Sequence, residues 1–373
     1  MTSEAALSRR RVVAGSLAAL AGAHSTWAAA PQDVGDVLQR PATLSTKAQG
    51  RAMLAIGRAG SRLVAVGERG IVLLSDDHGA TWRQARVPVS VSLTAVQFVD
   101  AQRGWAVGHS GAVLFSTDGG TSWALQLDGV QAARIAQEAA RAEADRAGAS
   151  NSEAGRKRLA DAQRLVADGP DKPFLDVLFS DALNGIIVGA YGLAFKTQDG
   201  GQHWHSCMAR LPNPKGKHLY RVAMAGKRLF IVGEQGLLLR SDDGGETFTA
   251  IETPYAGTWF GVHAHRDGGL LAFGLRGNAY SSTGSHGPWA KVALDTANTL
   301  VDRVQLGDAS LLLLDQQGQT FVSASPQRPD SFKRTTLSFG VPVSAWVQAA
   351  DGSFVASSLH GVRRVAASPR VAN

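Results

Sequence analysis

The sequence predicts an all-β protein, a seven-bladed β-propeller carrying an inserted α-helical hairpin. Three observations predict it. An acidic, glycine-rich octet ending on an aromatic recurs as SDDHGATW (75–82), STDGGTSW (116–123), TQDGGQHW (197–204) and SDDGGETF (241–248), with weaker copies ending at Trp289 and Phe332. A second motif, VG-x-x-G, keeps the same beat, closing on Gly70, Gly111, Gly192, Gly236 and Gly277, with eroded copies closing on Gly318 and Gly361. The intervals between these glycines are 41, 81, 44, 41, 41 and 43 residues. A period near ~40 with four short strands per unit is the pattern of propeller blades, and the long interval is one period plus an insertion.

Composition agrees. Glycine supplies 42 of 373 residues and charged residues only 18%, against a usual ~7% and ~25%. That balance suits many turns between short strands, and an apolar share of 44% is too high for a disordered chain. The net charge is +7, to which residues 1–30 contribute Arg9, Arg10 and Arg11 against Glu4. This mild excess, with no dense basic run interleaved with aromatics, gives no reason to expect a nucleic-acid partner. Cys207 is the single cysteine, so no intramolecular disulfide forms.

Residues 8–30, SRRRVVAGSLAALAGAHSTWAAA, place a basic cluster before a short apolar run and then small residues. This is the anatomy of an export signal. The apolar run from Val12 to Ala21 falls short of the ~20 residues that span a bilayer. Ser8-Arg9-Arg10 resembles a twin-arginine signal, and an ordinary secretory signal also fits. Residues 1–30 are therefore expected to be an export signal cut near Ala28–Ala30. The remaining chain is expected to be a monomeric periplasmic protein with no integral membrane segment.

Residues 36–365 are expected to form the propeller. In the second unit, LTAVQFVD (93–100), GWAVGHSG, AVLFST and TSWALQL alternate or carry turn glycines as four strands should. The last unit, 343–365, offers three strands. DVLQRPATLS (36–45) is expected to supply the fourth, closing the ring and hiding sheet edges. The insert, 128–172, lies between blades two and three. Its 130–147 stretch is rich in alanine, a strong helix former, and Ser150 with Glu153 suggests a capping box for a second helix. Leu159, Ala162, Leu165 and Val166 form the apolar stripe of that helix, and GPDKP (169–173) stops it. The hairpin has three available packing surfaces: itself, the propeller or a partner.

The octet joins the third and fourth strands. Asp77, Asp118, Asp199 and Asp243 sit in its turn, where a short carboxylate accepts backbone N–H groups. Trp82, Trp123, Trp204 and Phe248 follow and are expected to wedge between blades. A catalytic acid is not needed once per blade, so the octet reads as structural. Up-and-down strand order then puts the VG-x-x-G turns around the opposite mouth. Their variable residues are the candidate partner-binding positions: Glu68, Arg69, His109, Tyr191, Glu234, Gln235 and Arg276.

No catalytic, metal or cofactor set is expected. Retaining glycosidases of the usual kind hold two carboxylates about 5–5.5 Å apart, whereas Glu68 and Glu234 belong to blades one and four. His203, His205 and Cys207 alternate on one strand face without a fourth ligand. HExxH, GxSxG and phosphate-loop motifs do not occur.

The octets are similar to the Asp-box, or bacterial neuraminidase repeat. Together with the VG-x-x-G strands they resemble the photosystem II stability and assembly factor family over about residues 36–365 outside the insert. The resemblance implies a propeller of the thylakoid lumen or bacterial envelope that binds newly made membrane subunits, with an arginine patch implicated. The expected function is thus a non-enzymatic factor for assembly or stability of a membrane protein complex, its partner a membrane protein or assembly intermediate. A neuraminidase-like hydrolase and an accessory subunit of an envelope transporter are the alternative readings.

Overall fold

A computed structural model describes residues 36–146, 152–265, 268–284, 287–365 and 371. Seven antiparallel sheets form, six of four strands and one of three, each in sequence order. Blade two is representative: Leu93–Phe98, Gly104–Gly108, Val113–Ser116 and Ala124–Leu127. The innermost strands are Met53–Ala59, Leu93–Phe98, Phe174–Phe179, Leu219–Ala225, Trp259–Ala264, Leu300–Gln305 and Val343–Gln348. Each packs against the innermost strand of the next blade, and that of blade seven against that of blade one. The ring therefore closes, with the Ser344 hydroxyl donating to the Met53 carbonyl at 3.2 Å across the joint.

The core is divided among the joints. The octet aromatic of each of the first six blades lies in the apolar cluster shared with the preceding blade. Trp123 packs with Leu74 and Val87 of blade one, Trp204 with Trp105 and Leu127 of blade two, and Phe248 with Ile186 and Val188 of blade three. Trp82 does the same beside Val347 and Val355 of blade seven.

The VG-x-x-G repeat has a steric cause. In the first turn, Arg69 and Gly70 take left-handed φ values of 53° and 74°, and the Ile71 amide donates to the Glu68 carbonyl at 3.0 Å. Two successive left-handed residues suit the strand twist of a hairpin, and the second leaves no room for a side chain. A Cβ on Gly70 would lie 2.2 Å from the Val89 carbonyl in the link to blade two. Gly111, Gly236, Gly277 and Gly318 abut the backbone of their own links in the same way, whereas Gly192 meets the Asn213 side chain and Gly361 the Gln49 carbonyl ahead of blade one. So the turns and the inter-blade links share one face, and the octets occupy the other.

One expectation is corrected. Residues 36–45 do not form the fourth strand of blade seven. They run beside blade one, where the Ala42 amide donates to the Val87 carbonyl at 3.0 Å and the Ser90 amide to the Val37 carbonyl at 2.8 Å. Leu38 and Ala42 are buried in the joint between blades one and two, and that burial decides the path. Blade seven keeps three strands among the described residues.

The insertion forms two helices, α1 (Gly129–Arg146) and α2 (Glu153–Asp168). The cap of α2 is Ser152, whose hydroxyl accepts the Gly155 amide at 3.0 Å; Ser150 lies outside the described residues. Ala132 and Ala136 of α1 are buried in the joint between blades two and three, with Leu165 of α2 packed against the same cluster. Arg158 of α2 reaches Glu143 of α1 at 2.6 Å. The hairpin thus packs both on itself and on the propeller.

Gly70→Ala should cost about 2–4 kcal/mol, from a left-handed alanine and a backbone clash; urea denaturation of the variant against the parent measures it. The octet also predicts an acid limit. Hydrogen bonds hold Asp77 and Asp199 down to about 2, the Thr81 hydroxyl leading in the first and the His203 amide in the second. Unfolded aspartate titrates near ~3.9, so their contribution is complete above that pH and is lost as pH falls through about 2. Urea midpoints between pH 5 and pH 2 should fall, and should fall less in the Asp77→Asn/Asp199→Asn double variant.

Candidate functional site

The candidate site is the mouth ringed by the VG-x-x-G turns. Arg69, Tyr191, Gln235 and Arg276 all stand at left-handed φ, between 51° and 57°, and all four side chains are exposed. The residue before the glycine therefore projects away from the sheet in each turn. His109 is exposed as well, while Glu68 and Glu234 are half-buried beside their turns.

The ring gathers only some of these residues. Glu68 and Arg69 sit on blade one, His109 on blade two beside α1, and Arg276 on blade five. Tyr191, Glu234 and Gln235 come together across blades three and four. The Tyr191 ring lies 4.9 Å from that of His218. The Glu234 carboxylate accepts the His218 amide at 2.9 Å, and Lys217 Nζ donates to the Gln235 carbonyl at 3.2 Å. Lys172, which follows α2, stands 5.2 Å over the Tyr191 ring.

The inner strands extend this cluster. His218 is 6.3 Å from Tyr220, and Tyr220 is 5.0 Å from Phe260 of blade five. Tyr191, His218, Tyr220 and Phe260 thus form an aromatic arc over three consecutive blades, half-buried except for the exposed Tyr191. Burial and the Glu234 charge push the Tyr220 hydroxyl up from its ordinary range. Aromatic rings held at a rim offer apolar area at little entropic cost and retain polar edges, the qualities of an interface anchor.

Deeper along the inner strands lies a cluster of charged side chains. Asp176 of blade three is buried, and its carboxylate accepts the Val222 amide of blade four at 2.8 Å. Asp302 of blade six accepts the Trp346 amide of blade seven at 3.2 Å. Arg221 of blade four lies between them, 4.0 Å from Asp176 and 3.5 Å from Asp302. Burial pushes Asp176 up to about 6, with Arg221 opposing the shift. His263 is driven down to about 3, by burial first and then by the neighbouring charge of Arg303. Asp176 and Asp302 work as joint fasteners: each carboxylate holds the backbone of the next blade, and Arg221 lies within 4.0 Å of both.

The octet residues lie on the opposite face. In blade two Asp118 accepts the Ser122 amide at 2.9 Å, the Ser122 hydroxyl at 2.6 Å and the hydroxyl of buried Ser116 at 2.9 Å. Asp77 and Asp243 repeat the pattern with Thr81 and Thr247. In blade three His203 takes that place, its amide 2.9 Å and its Nδ1 2.7 Å from Asp199. His203 is therefore engaged in the octet. Cys207 is buried, and its thiol is pushed up to about 12 by that burial. Among the described residues no group of three or more His, Cys, Asp or Glu side chains is arranged to hold a metal.

Reading the turns alone overlooks His218, Tyr220, Phe260 and the charged cluster. The signal is present one strand earlier. Aligning the inner strands gives Leu54, Thr94, Leu175, Tyr220, Phe260, Val301 and Ser344 at their second position. The third position reads Ala55, Ala95, Asp176, Arg221, Gly261, Asp302 and Ala345. Three charged residues among small ones mark the fasteners.

Comparison with known proteins follows the fold. The family model for photosynthesis system II assembly factor YCF48 matches residues 74–138 and 163–326. A curated relative, the photosystem II assembly lipoprotein Ycf48 of Synechococcus sp. (strain CC9902), is 27% identical over 155 residues, 41% of this chain and 46% of that protein. The chain thus matches less than half the length of that relative. Among solved structures, one described as YCF48 bound to D1 peptide superposes with a TM-score of 0.57 at 12% identity, covering 90% of this chain and 97% of the other. YCF48 from Cyanidioschyzon merolae gives 0.59 at 14% identity over 85% and 95%. A glycoside hydrolase of Niastella koreensis, NkGH74, gives 0.58 at 13% identity over 84% and 52%. At such identities the structural likenesses show the shared fold alone.

Asp176→Asn should change the pH response of stability. A carboxylate whose folded pKa is raised stabilises fully below the unfolded value near ~3.9 and loses that contribution as pH rises through about 6. Urea midpoints measured from pH 4 to pH 7 should therefore decline less steeply in the variant than in the parent.

Proposed function

The chain belongs to the photosynthesis system II assembly factor YCF48 family, and from that premise we propose that it is an exported, non-enzymatic propeller that binds a membrane protein or its assembly intermediate. It assists assembly or stability of the complex from the periplasmic side. The observation that carries the reading is the aromatic arc of Tyr191, His218, Tyr220 and Phe260 at one mouth. Glu68, Arg69, His109 and Arg276 stand around the same mouth and supply the polar rim. One related propeller is described with a bound D1 peptide, and a peptide of that kind is the first ligand to test. No helix among the described residues is long and apolar enough to cross a membrane. The likeness to NkGH74 concerns the blades and does not favour hydrolysis, since Glu68 and Glu234 stand on blades one and four.

Fluorescence anisotropy with a labelled D1 peptide, and pull-down from detergent-solubilised host membranes, test this together. The Tyr191→Ala/Tyr220→Ala variant should weaken capture by at least about tenfold, as loss of interface anchors does. Asp242→Ala, on the octet face, should leave it unchanged. Equal capture by both variants overturns the mouth as the binding surface. Turnover of fluorogenic glycosides by the parent chain overturns the non-enzymatic reading.

A further inference from the structure

The seventh blade presents an edge that the other six cover. In blades one to six a fourth strand lies outside the third, whose residues are buried or half-buried. The third strand of blade seven is Gly361–Val365, and among the described residues no strand pairs with its outer side. Val362 packs in the joint with blade one and Val365 in the joint with blade six, so the strand is held from both faces. Arg363 and Arg364 between them are exposed. The neighbouring segments go elsewhere: residues 36–45 follow blade one, and Val371 bridges Thr335 on blade six.

Charge decides what fits this edge. Arg364 is engaged, donating to the His78 carbonyl at 3.0 Å and to Asp351 at 2.8 Å. Arg363 forms no ion pair among the described residues, and neither does exposed Lys333 on the outer strand of blade six. Strand alternation puts Arg363 on the face of Val365, toward blade six, and Arg364 on the face of Val362. A second copy of this chain pairing antiparallel along the edge would set these arginines against their own counterparts. Like charges directly opposed weaken such pairing, and edge cations are a known guard against it.

We propose that the outer edge of Gly361–Val365 receives an extended acidic segment of a partner protein as the fourth strand of blade seven. Backbone pairing supplies affinity, and Arg363 selects acidic side chains. The surface lies on the rim of the propeller, apart from the mouth, and the inference stands without the mouth reading.

The test uses the full chain and a ten-residue peptide of alternating valine and glutamate, with hydrogen exchange as the readout. The matched lysine peptide and an acidic peptide interrupted by prolines serve as controls. The acidic peptide should slow exchange of the 361–365 amides that face away from Phe354–Ser358 by at least about tenfold, an effect on local opening that neither control reproduces. Arg363→Glu should abolish the slowing and Arg363→Lys should retain it, both variants keeping the parent melting temperature. The proposal fails if the lysine peptide protects equally, or if the acidic peptide protects residues 218–235 instead. It also fails if the 361–365 amides that do not bond to Phe354–Ser358 are already slow in the free chain. Dilution then separates the two occupants, since protection by a second copy weakens and protection from within the same chain does not.

Discussion

The structure depends on one hydrogen-bonded clasp. In each full octet an aspartate receives an amide and a side-chain donor from the residue four positions on, while a buried hydroxyl two positions back ties the carboxylate to the turn. The hydroxyl of Ser116 also receives the Gly120 amide at 2.9 Å, so one small polar residue serves both the carboxylate and the backbone. The loop so fixed sets the aromatic that follows into the joint with the preceding blade. Local chemistry of eight residues thereby seats a wedge between neighbouring sheets, and no blade buries its wedge alone. Blades five and six lack the aspartate, yet Ser282 and Ser323 keep the buried hydroxyl and bond within the turn. The hydroxyl is the more persistent half of the device.

The repeated parts of this design were legible in the sequence because each position recurs with the same physical demand. Gly70 is glycine because a carbonyl of the next link stands where its Cβ would be, and backbone crowding recurs at the other closing glycines except Gly192, where the Asn213 side chain stands. What could not be read was set by neighbours on other blades. Asp176 looks like any half-buried strand polar until Val222 of the next blade offers its amide. His203 alternates with His205 and Cys207, a metal-like pattern, but its distance of four residues from Asp199 makes it an octet donor. Residues 36–45 echo an outer strand in their VLQ, and that echo misleads. Burial of Leu38 beside Val87 and Val89 outweighs a pattern of alternation that several edges could satisfy.

The charged cluster shows how such a ring tolerates charge. Buried carboxylates are costly unless paired and hydrogen-bonded. Here each of two carboxylates takes an amide from the following inner strand, and Arg221 stands between them. The elevated Asp176 pKa records that burial still outweighs the arginine. The triad therefore serves the blade joints more than it serves net stability, and replacing one member alone would strand the others.

Recognition in a repeat protein has to come from where the repeat is broken, because positions shared by every blade are spent on the shared fold. Three such breaks are visible. The helical hairpin interrupts the link between blades two and three and brings Lys172 over Tyr191. The inner strands of blades four and five carry Tyr220 and Phe260 where blades two and seven carry Thr94 and Ser344. Among the described residues blade seven leaves an edge bearing Arg363 and Arg364 where the other blades place a strand. The first two breaks converge on one mouth and the third lies on the rim. A partner that engages both must be extended, or must present two separate segments, and the distance between mouth and rim then selects among partners as strictly as the contacts themselves.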